Sequence, residues 1–383
     1  MNTSLCFNVA KLPSHSSIII RKTHYFIPNP VCRHQSKKNF SYAVKRDSRK
    51  AHFFLLSCSG IILNTKSGGH AFVGYYLAHA LLQQKQVQVT LWNEGSEAQL
   101  RSSQPFSHYS ELKTLGINTI FGQSATESLE GKVRKCDWII DNFSKDVETT
   151  KPLVELASQI GVRHYLFVSS AGIYKASEMT PHFENDPVNS DAAISQTERF
   201  LLSQTSFAVT CFRPIYLIGL KSAKTSYTDY FFDRIIRGLK VPIPYPGDQL
   251  VSLSHVDDLV QMIILSIDKS DAFQEIFNAT SGKFITVRAL AELCSQVCCK
   301  PLQTFYYDAG LASNSFSRFP FRNRHFIADP RKAEQLLGWS SHTNLEENIA
   351  QMFSEYLSLQ KDKQNFPLDE DHKLWEVMSS ISS

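Results

Sequence analysis

The stretch NTKSGGHAFVGYYLAHALL, residues 64–82, decides the fold that this chain is expected to adopt. It follows the apolar run FFLLSCSGIIL, residues 53–63, whose composition favours a buried strand. After the glycines, apolar residues recur at the spacing of a helix. The pattern therefore predicts a strand, a glycine-rich turn and a helix.

The glycines of this turn are candidate cofactor-binding residues. Gly68, Gly69 and Gly74 would allow a tight turn, close approach of a pyrophosphate, and close packing of helix on strand. Ala71 stands where a G-x-x-G-x-x-G motif has its central glycine. Glu94 follows about 20 residues after the turn, where an acid can bind the adenosine ribose of NAD. Two interpretations stay open: an NAD site, and a turn that serves packing alone.

Short apolar strands and helices alternate along the chain beyond this unit. Such alternation predicts an α/β fold with a Rossmann-like, doubly wound parallel sheet. We expect residues 51–220 to form this dinucleotide-binding core. Residues 221–360, with their Pro-rich connections and aromatic loops, are expected to form a smaller mixed α/β lobe interleaved with the core. The polar residues 361–383 are expected to be a C-terminal tail, either a frayed helix or disordered.

Residues 1–50 differ in composition from the rest of the chain. They hold ten of the 40 Lys and Arg residues but only one acidic residue, Asp47, so the remainder of the chain is acidic overall. The segment is rich in Ser and lacks the continuous apolar stretch of a secretory signal, which indicates an organelle transit peptide. A disordered basic tail is the alternative. No run approaches the roughly 18 apolar residues of a membrane span, so none is expected.

Six stretches resemble the extended short-chain dehydrogenase/reductase superfamily, across nearly all of residues 51–350. They are SGGHAFVG, FVSSAGIY, FRPIYLIG, LSHVDDL, IFNATSG and ADPRKAEQLLGW. The resemblance implies a serine after the fifth strand, matched by Ser169 or Ser170, and a Tyr-x-x-x-Lys pair on the next helix. Ser190 stands at the tyrosine position and Ile194 at the lysine position. Hydride transfer or epimerisation of the usual kind is therefore not expected.

More particular stretches resemble one atypical branch, the chloroplast stem-loop-binding proteins. They include NTKSGGHAFVGYYLA, SSAGIYK, TDYFFDRIIRGLKVPIP and FRNRHFIADPRKAEQLLGW, and subgroup a of the branch looks closer than subgroup b. The resemblance implies a protein of the plastid stroma that binds stem-loop RNA and cleaves it as an endoribonuclease, in mRNA and rRNA metabolism. It also implies association with ribosomal RNA or ribosomal particles, and oligomers formed with itself or with a related paralogue.

The segment SRFPFRNRHF, residues 317–326, is the candidate RNA-binding surface. Its cationic residues, Arg318, Arg322, Arg324 and His325, alternate with phenylalanines. Cations can contact phosphates and aromatic rings can stack on unpaired bases. Two other interpretations stay open: contact with a nucleotide-sugar diphosphate, as in ordinary members of the superfamily, and plain packing.

Cleavage of RNA requires a general acid and base, or carboxylates that hold Mg²⁺. Asp141 and Asn142 end the predicted fourth strand, at the sheet edge where they could approach His70. These three residues are the candidate catalytic residues, and Asp141 with Asp146 is the candidate Mg²⁺ site. His70 could equally be an exposed loop residue. A nucleotide-sugar epimerase or dehydratase with an unusual acid/base, and a non-catalytic dinucleotide-binding scaffold, remain the alternative functions.

Overall fold

The opening stretch folds as a strand followed by a helix, as the sequence predicts. Strand β1 is Cys58–Asn64 and helix α1 is Ala71–Leu82. The predicted transit segment, Gly68 and Gly69 lie outside the described residues. The computed structural model describes residues 58–66, 70–84, 87–223, 227–312 and 316–382.

A seven-stranded sheet forms the centre of the molecule and confirms the predicted Rossmann-like fold. Its strand order is β3-β2-β1-β4-β5-β6-β9, and every neighbouring pair is parallel. Asn64, the last residue of β1, pairs in register with Asn93 and with Asn142, so three asparagines end adjacent strands at one edge. The other strands are β2 (Val87–Glu94), β3 (Asn118–Gly122), β4 (Trp138–Asn142), β5 (His164–Val168), β6 (Ala208–Pro214) and β9 (Glu275–Ala279).

Helices cover both faces of the sheet. On one face, α1 and α8 bury Phe72, Leu77 and Ile263 in one apolar cluster, and on the other, α5 and α6 bury Leu153 and Leu201 in a second. The helices of this part are α2 (Glu97–Leu100), α3 (Tyr109–Thr114), α4 (Ala125–Leu129), α5 (Val147–Gln159), α6 (Ala193–Leu202), α8 (Val256–Ser266) and α11 (Arg331–Leu337).

The remaining elements build a smaller lobe with its own apolar core, in which Phe231, Phe232 and Tyr356 are buried. Two short sheets belong to it: β7 pairs with β11 in parallel, and β8 pairs with β10 antiparallel. The elements are α7 (Asp229–Ile236), β7 (Val241–Pro244), β8 (Leu250–Val251), β10 (Ile285–Thr286), α9 (Val287–Cys298), β11 (Thr304–Tyr307), α10 (Ala309–Ala312), α12 (Leu345–Ser358) and α13 (Asp369–Ser382).

Helix α13 lies in the segment that the polar composition indicated to be a tail. Its Asp371 is fully buried and accepts two hydrogen bonds from the guanidinium of Arg234, from Nε at 2.9 Å and from Nη2 at 2.8 Å. Leu374 is also fully buried, in the lobe core. Composition could not indicate this packing, because the partner of the buried carboxylate lies 137 residues away in the sequence.

Asp257 and Asp258, in the stretch HVDDL, suggest a helix cap from their position after a loop, but the structure differs. The N-cap of α8 is His255, whose Nδ1 accepts a hydrogen bond from the backbone N–H of Asp257. Asp258 is buried and accepts hydrogen bonds from Ser341 Oγ, Thr343 Oγ1 and the backbone N–H of His342. It therefore fastens the connection before α12 to the sheet domain.

The contact between Asp258 and His342 predicts a pH dependence of stability. Burial of Asp258 opposes its ionisation, but hydrogen bonds from the 341–343 segment outweigh this and lower its pKa to about 2. The hydrogen bond to Asp258 raises the pKa of His342. The carboxylate therefore contributes stability above about pH 4 and loses that contribution as the pH falls towards about 2. The imidazolium contributes below about pH 6.5 and loses its contribution as the pH rises through its raised pKa.

Thermal unfolding of Asp258→Asn between about pH 3 and about pH 8 checks this expectation. The variant should be less stable than the wild type near pH 5, and the difference should shrink at both ends of the range. His342→Gln should remove the upper limb of the profile and keep most of the lower one. A constant difference between wild type and Asp258→Asn across the range would contradict the assignment.

Candidate functional site at the carboxyl edge of the sheet

Gly74, in the first turns of α1, lets the helix pack closely on β1. A Cβ atom at this position would lie 2.3 Å from Cγ of Asn64, well inside van der Waals contact. The described part of the glycine turn thus meets the packing requirement of a dinucleotide-binding unit.

Side-chain amides fill the space beneath the N-terminus of α1. Asn64 Nδ2 donates to the carbonyl of Ala71 at 3.0 Å and to Oδ1 of Asn93 at 3.1 Å. Asn142 Nδ2 donates to Oδ1 of Asn64 at 2.8 Å and to the carbonyl of His70 at 2.9 Å. Asn142, a predicted catalytic residue, is therefore a buried tether of the helix N-terminus. Sequence reasoning missed Asn64 and Asn93, although three asparagines at aligned strand ends were a usable signal.

Glu94, the predicted ribose ligand, ends β2 as expected but already has a cationic partner. Lys66 Nζ lies 3.0 Å from Oε1 of Glu94, and the backbone N–H of Lys66 donates to Oε2 at 3.4 Å. A ribose diol would have to share the carboxylate with this ammonium group. Glu94 is thus the residue type that the adenosine end of an NAD site requires, but its carboxylate is already paired with Lys66.

The nicotinamide end of such a site does not fit hydride transfer. Ser190 is exposed before the start of α6, and Ile194 packs against the apolar cluster on that face of the sheet. Ser170, the predicted serine, accepts a hydrogen bond from the backbone N–H of Gly172 and so caps a short 3-10 turn. Its neighbour Ser169 is buried and donates to Glu198. The tyrosine and lysine that would transfer a proton and hold the nicotinamide ribose are therefore absent from these positions.

Asp141, predicted to be a catalytic and metal-binding residue, has its carboxylate engaged in hydrogen bonds within the protein. The side chain is fully buried. Oδ1 accepts hydrogen bonds from the backbone N–H groups of Phe143 and Ser144, at 2.8 and 2.9 Å. Oδ2 accepts hydrogen bonds from Ser144 Oγ at 2.5 Å and from the Tyr165 hydroxyl at 2.6 Å. Four donors occupy the carboxylate, and RNA cannot reach it.

Asp146, the second predicted metal ligand, is the N-cap of α5. Its Oδ1 accepts a hydrogen bond from the backbone N–H of Thr149 at 2.8 Å, within a reciprocal capping box. This hydrogen bond lowers the pKa of Asp146. The described residues contain no group of three or more His, Cys, Asp or Glu side chains arranged to hold a metal ion. The described residues therefore give no support to the predicted Mg²⁺ site at Asp141 and Asp146.

His70 is the third predicted catalytic residue and keeps a more open position. It is the N-cap of α1 and is partly exposed. Its side chain lines a cavity of about 580 Å³ between the sheet domain and the smaller lobe. Asp141 and Asn142 are buried, whereas His70 borders this cavity.

The phenylalanines of the 317–326 segment face inwards, so stacking on RNA bases is not their role. Phe321 and Phe326 are buried in an aromatic cluster around Tyr216. His325 is exposed, with Nδ1 accepting a hydrogen bond from the backbone N–H of Leu250. For these rings, the packing interpretation is correct.

Arg322 and Arg324 form the most electropositive feature of this segment. Arg322 Nη2 donates to the carbonyl of Gly172 at 2.7 Å, beside Ser170, and its guanidinium lies 4.0 Å from the ring centre of Phe326. Burial, with the nearby positive charge of Arg324, lowers the pKa of Arg322. Arg324 Nε is buried and has no hydrogen-bond partner among the described residues. Neither guanidinium forms an ion pair with a described carboxylate.

Arg318 differs from Arg322 and Arg324 because it contacts a carboxylate. Its Nε is 3.3 Å from a carboxylate oxygen of Glu370, and its Nη1 donates to the carbonyl of Pro367. Both partners belong to the C-terminal segment. Of the four predicted cationic residues, Arg322 and Arg324 thus form no ion pair with a described carboxylate, His325 is exposed, and Arg318 pairs with Glu370.

The fold and the glycine turn define the class of the protein. A model of the NAD-dependent epimerase/dehydratase family matches residues 67–280, which is more than half of the chain. The chain belongs to this family. It is also similar to the chloroplast stem-loop binding protein of 41 kDa b of Arabidopsis thaliana, with 29% identity over 301 residues, covering 75% of this chain and 77% of the relative. That relative is of subgroup b, whereas the sequence resemblance favoured subgroup a.

Solved structures of low identity share the fold. An epimerase of Methanothermobacter thermautotrophicus has a TM-score of 0.62 at 16% identity, over 81% of this chain and 96% of its own. The UDP-glucuronic acid 4-epimerase of Bacillus cereus, solved with UDP-glucuronic acid and NAD, has a TM-score of 0.62 at 14% identity, over 78% and 99%. In the part of the chain that is described, no helix combines the length and apolar character needed to cross a bilayer.

Proposed function

We propose that this protein binds stem-loop RNA in the plastid, with Arg322 and Arg324 as phosphate contacts at the carboxyl edge of the sheet. One observation carries the proposal: two neighbouring guanidinium groups that no described carboxylate neutralises. Like charges held close together are costly unless an anion offsets them, and guanidinium groups match phosphate geometry well. A bound phosphodiester would supply that anion.

The family's usual chemistry is a weaker candidate for this chain. A nucleotide-sugar diphosphate would also satisfy two arginines. However, Ser190 and Ile194 stand where the reaction needs a tyrosine and a lysine, and neither can move a proton on a sugar hydroxyl or hold a nicotinamide ribose. An RNA ligand uses the cationic edge without requiring the missing pair.

The plastid location rests on two independent features. Residues 1–50 have the composition of a transit peptide. The Arabidopsis thaliana relative is described as chloroplastic and stem-loop binding. We propose the stroma as the compartment, and ribosomal RNA, ribosomal particles and a related paralogue as partners, on the resemblance alone.

Endoribonuclease activity in mRNA or rRNA metabolism is the further part of the proposal. Because Asp141, Asn142 and Asp146 are engaged in structural hydrogen bonds, cleavage would need other residues. His70, at the cavity, is the candidate for proton transfer. Dependence on Mg²⁺ remains a prediction, because the structure offers no carboxylate cluster for the ion among its described residues.

A binding competition tests the proposed function. The full chain is titrated into a labelled plastid 3′ stem-loop RNA at about 0.1 M salt. Binding of NAD and of UDP-sugars is measured separately, and each is also added as a competitor of the bound RNA. We expect the stem-loop to bind with a Kd below about 1 µM, tighter than ordinary non-specific binding, and UDP-sugars to compete poorly. Tight binding and turnover of a UDP-sugar, with no RNA binding, would contradict the proposal and assign the protein the nucleotide-sugar chemistry of its family.

A further inference from the structure

The cavity beside His70 is lined in part by a segment that the proposed RNA site does not involve. Helix α7, the connection after β6 and residues 317–320 line it together with Lys361 and residues 364–367. Its volume of about 580 Å³ lies within the ordinary range for ligand sites. The lining includes three arginines and Lys361, the carboxylates of Asp229 and Asp233, and several aromatic rings.

The segment of residues 360–368, which contains these lining residues, is here called the lid. It connects α12 to α13 and contains only a short 3-10 turn, Lys361–Lys363. Five of its side chains are exposed: Gln360, Lys363, Gln364, Asn365 and Pro367. The helix that follows the lid is fixed independently of it, because Asp371 is held by the buried Arg234. The carboxyl end of the lid is therefore anchored by α13.

Arginines hold the lid by its backbone oxygens. Arg237 Nη2 donates to the carbonyls of Lys361 and Gln364, each at 2.9 Å. Arg318 Nη1 donates to the carbonyl of Pro367. The only side-chain ion pair from the lid among the described residues joins Lys361 Nζ to Asp229 Oδ2 at 2.7 Å.

The aromatic ring of the lid lies among the same arginines. The guanidinium carbons of Arg234, Arg237 and Arg318 lie 5.1, 5.4 and 5.9 Å from the ring centre of Phe366. A flat ring and three backbone oxygens thus lie against arginines that also pair with carboxylates: Arg234 with Asp371, Arg237 with Asp233 and Arg318 with Glu370. A short length of unpaired RNA offers the same groups, a base and phosphodiester oxygens, and its oxygens carry the charge that carbonyls lack.

We propose that the lid occupies a second RNA site, in which Arg237 and Arg318 bind the phosphodiester backbone of an unpaired loop once the lid leaves them. The inference rests on the proposed function and adds the part of the RNA that this cavity recognises. Arg234 stays paired with Asp371 and serves as the anchor of α13. Glu370 stays near Arg318 and limits the gain from that arginine.

The test measures RNA affinity in Phe366→Ala, a variant that keeps the Arg234 and Asp371 pair. Because RNA must displace the lid from Arg237 and Arg318, weakening the hold of the lid should raise the affinity for a stem-loop by about three- to tenfold. Phe284→Ala, which removes another partly exposed phenylalanine outside the cavity lining, is the matched control and should bind as the wild type does. Thermal unfolding verifies that both variants are folded.

A second substitution, at Arg318, tests whether the increase in RNA affinity arises at this site. In Phe366→Ala/Arg318→Ala the gain should disappear, and a gain that persists would place the RNA elsewhere and overturn the proposal. Equal affinity of wild type and Phe366→Ala would also overturn it while leaving the proposed function intact. If neither protein bound RNA, the proposed function would fall, and the lid site with it.

A second readout needs no variant. Trypsin should cut the wild-type chain after Lys361 and Lys363 faster when stem-loop RNA is present, because RNA displaces the lid. An unchanged or slower rate at these two lysines would overturn the displacement of the lid.

Discussion

Arg322→Ala/Arg324→Ala is expected to weaken stem-loop RNA binding by about 100-fold at about 0.1 M salt. A hydrogen bond to a charged group contributes about 1.5 kcal/mol or more, and two are lost, which gives about 3 kcal/mol. The loss should be similar for RNAs of different sequence, because phosphate contacts carry no base information. Fluorescence anisotropy with two unrelated stem-loops measures both expectations.

The salt dependence separates local contacts from bulk charge. Each phosphate contact that is removed should reduce the slope of log K against log salt by somewhat less than 1, so the double variant should lose between about 1.4 and 1.8. Arg101→Ala/Arg134→Ala removes the same charge from two exposed arginines and is the matched control. If the two double variants lost affinity and slope equally, a diffuse electrostatic attraction would explain the binding, and the assignment of Arg322 and Arg324 would be wrong.

The fold was predictable because the signals that set it are local. The glycine turn and the alternation of strands and helices can be read within short windows, and the parallel sheet follows from them. The direction of side chains in irregular segments has no such period. In the 317–326 segment the sequence therefore did not indicate the burial of Phe321 and Phe326, which depends on Tyr216, about 100 residues away.

Predictions at the sheet edge were correct in topology and incomplete in contacts. Asp141 and Asn142 do lie at the carboxyl end of β4, next to the N-terminus of α1. The donors that occupy Asp141 include Tyr165 on the adjacent strand, and the sequence does not indicate that this hydroxyl is aimed at it. The same limit applies to Asp371, because a buried ion pair between distant residues leaves no pattern in either segment.

Asp141→Ala is expected to unfold the protein more easily rather than to remove a nuclease step. The change leaves the Tyr165 hydroxyl, Ser144 Oγ and two backbone N–H groups without their acceptor in a buried site. Buried donors without a partner cost about 1–3 kcal/mol each, and partial relaxation leaves a loss of about 3–4 kcal/mol. The melting temperature should fall by roughly 5–10 °C.

Asp146→Ala provides the comparison, because it removes a helix cap at the same edge without opening a buried site. Asp146→Ala should lower the free energy of unfolding by about 1 kcal/mol.

RNA cleavage, where it occurs, must then be measured at a temperature at which every variant is folded. Under that condition we expect Asp141→Ala to retain both RNA binding and any Mg²⁺-dependent cutting. A variant that melts like the wild type and binds RNA but no longer cuts it would restore Asp141 to the catalytic centre. If the cleavage rate of Asp141→Ala instead falls in proportion to the fraction of unfolded protein, the loss of activity comes from instability. A structural carboxylate could then be mistaken for a catalytic one.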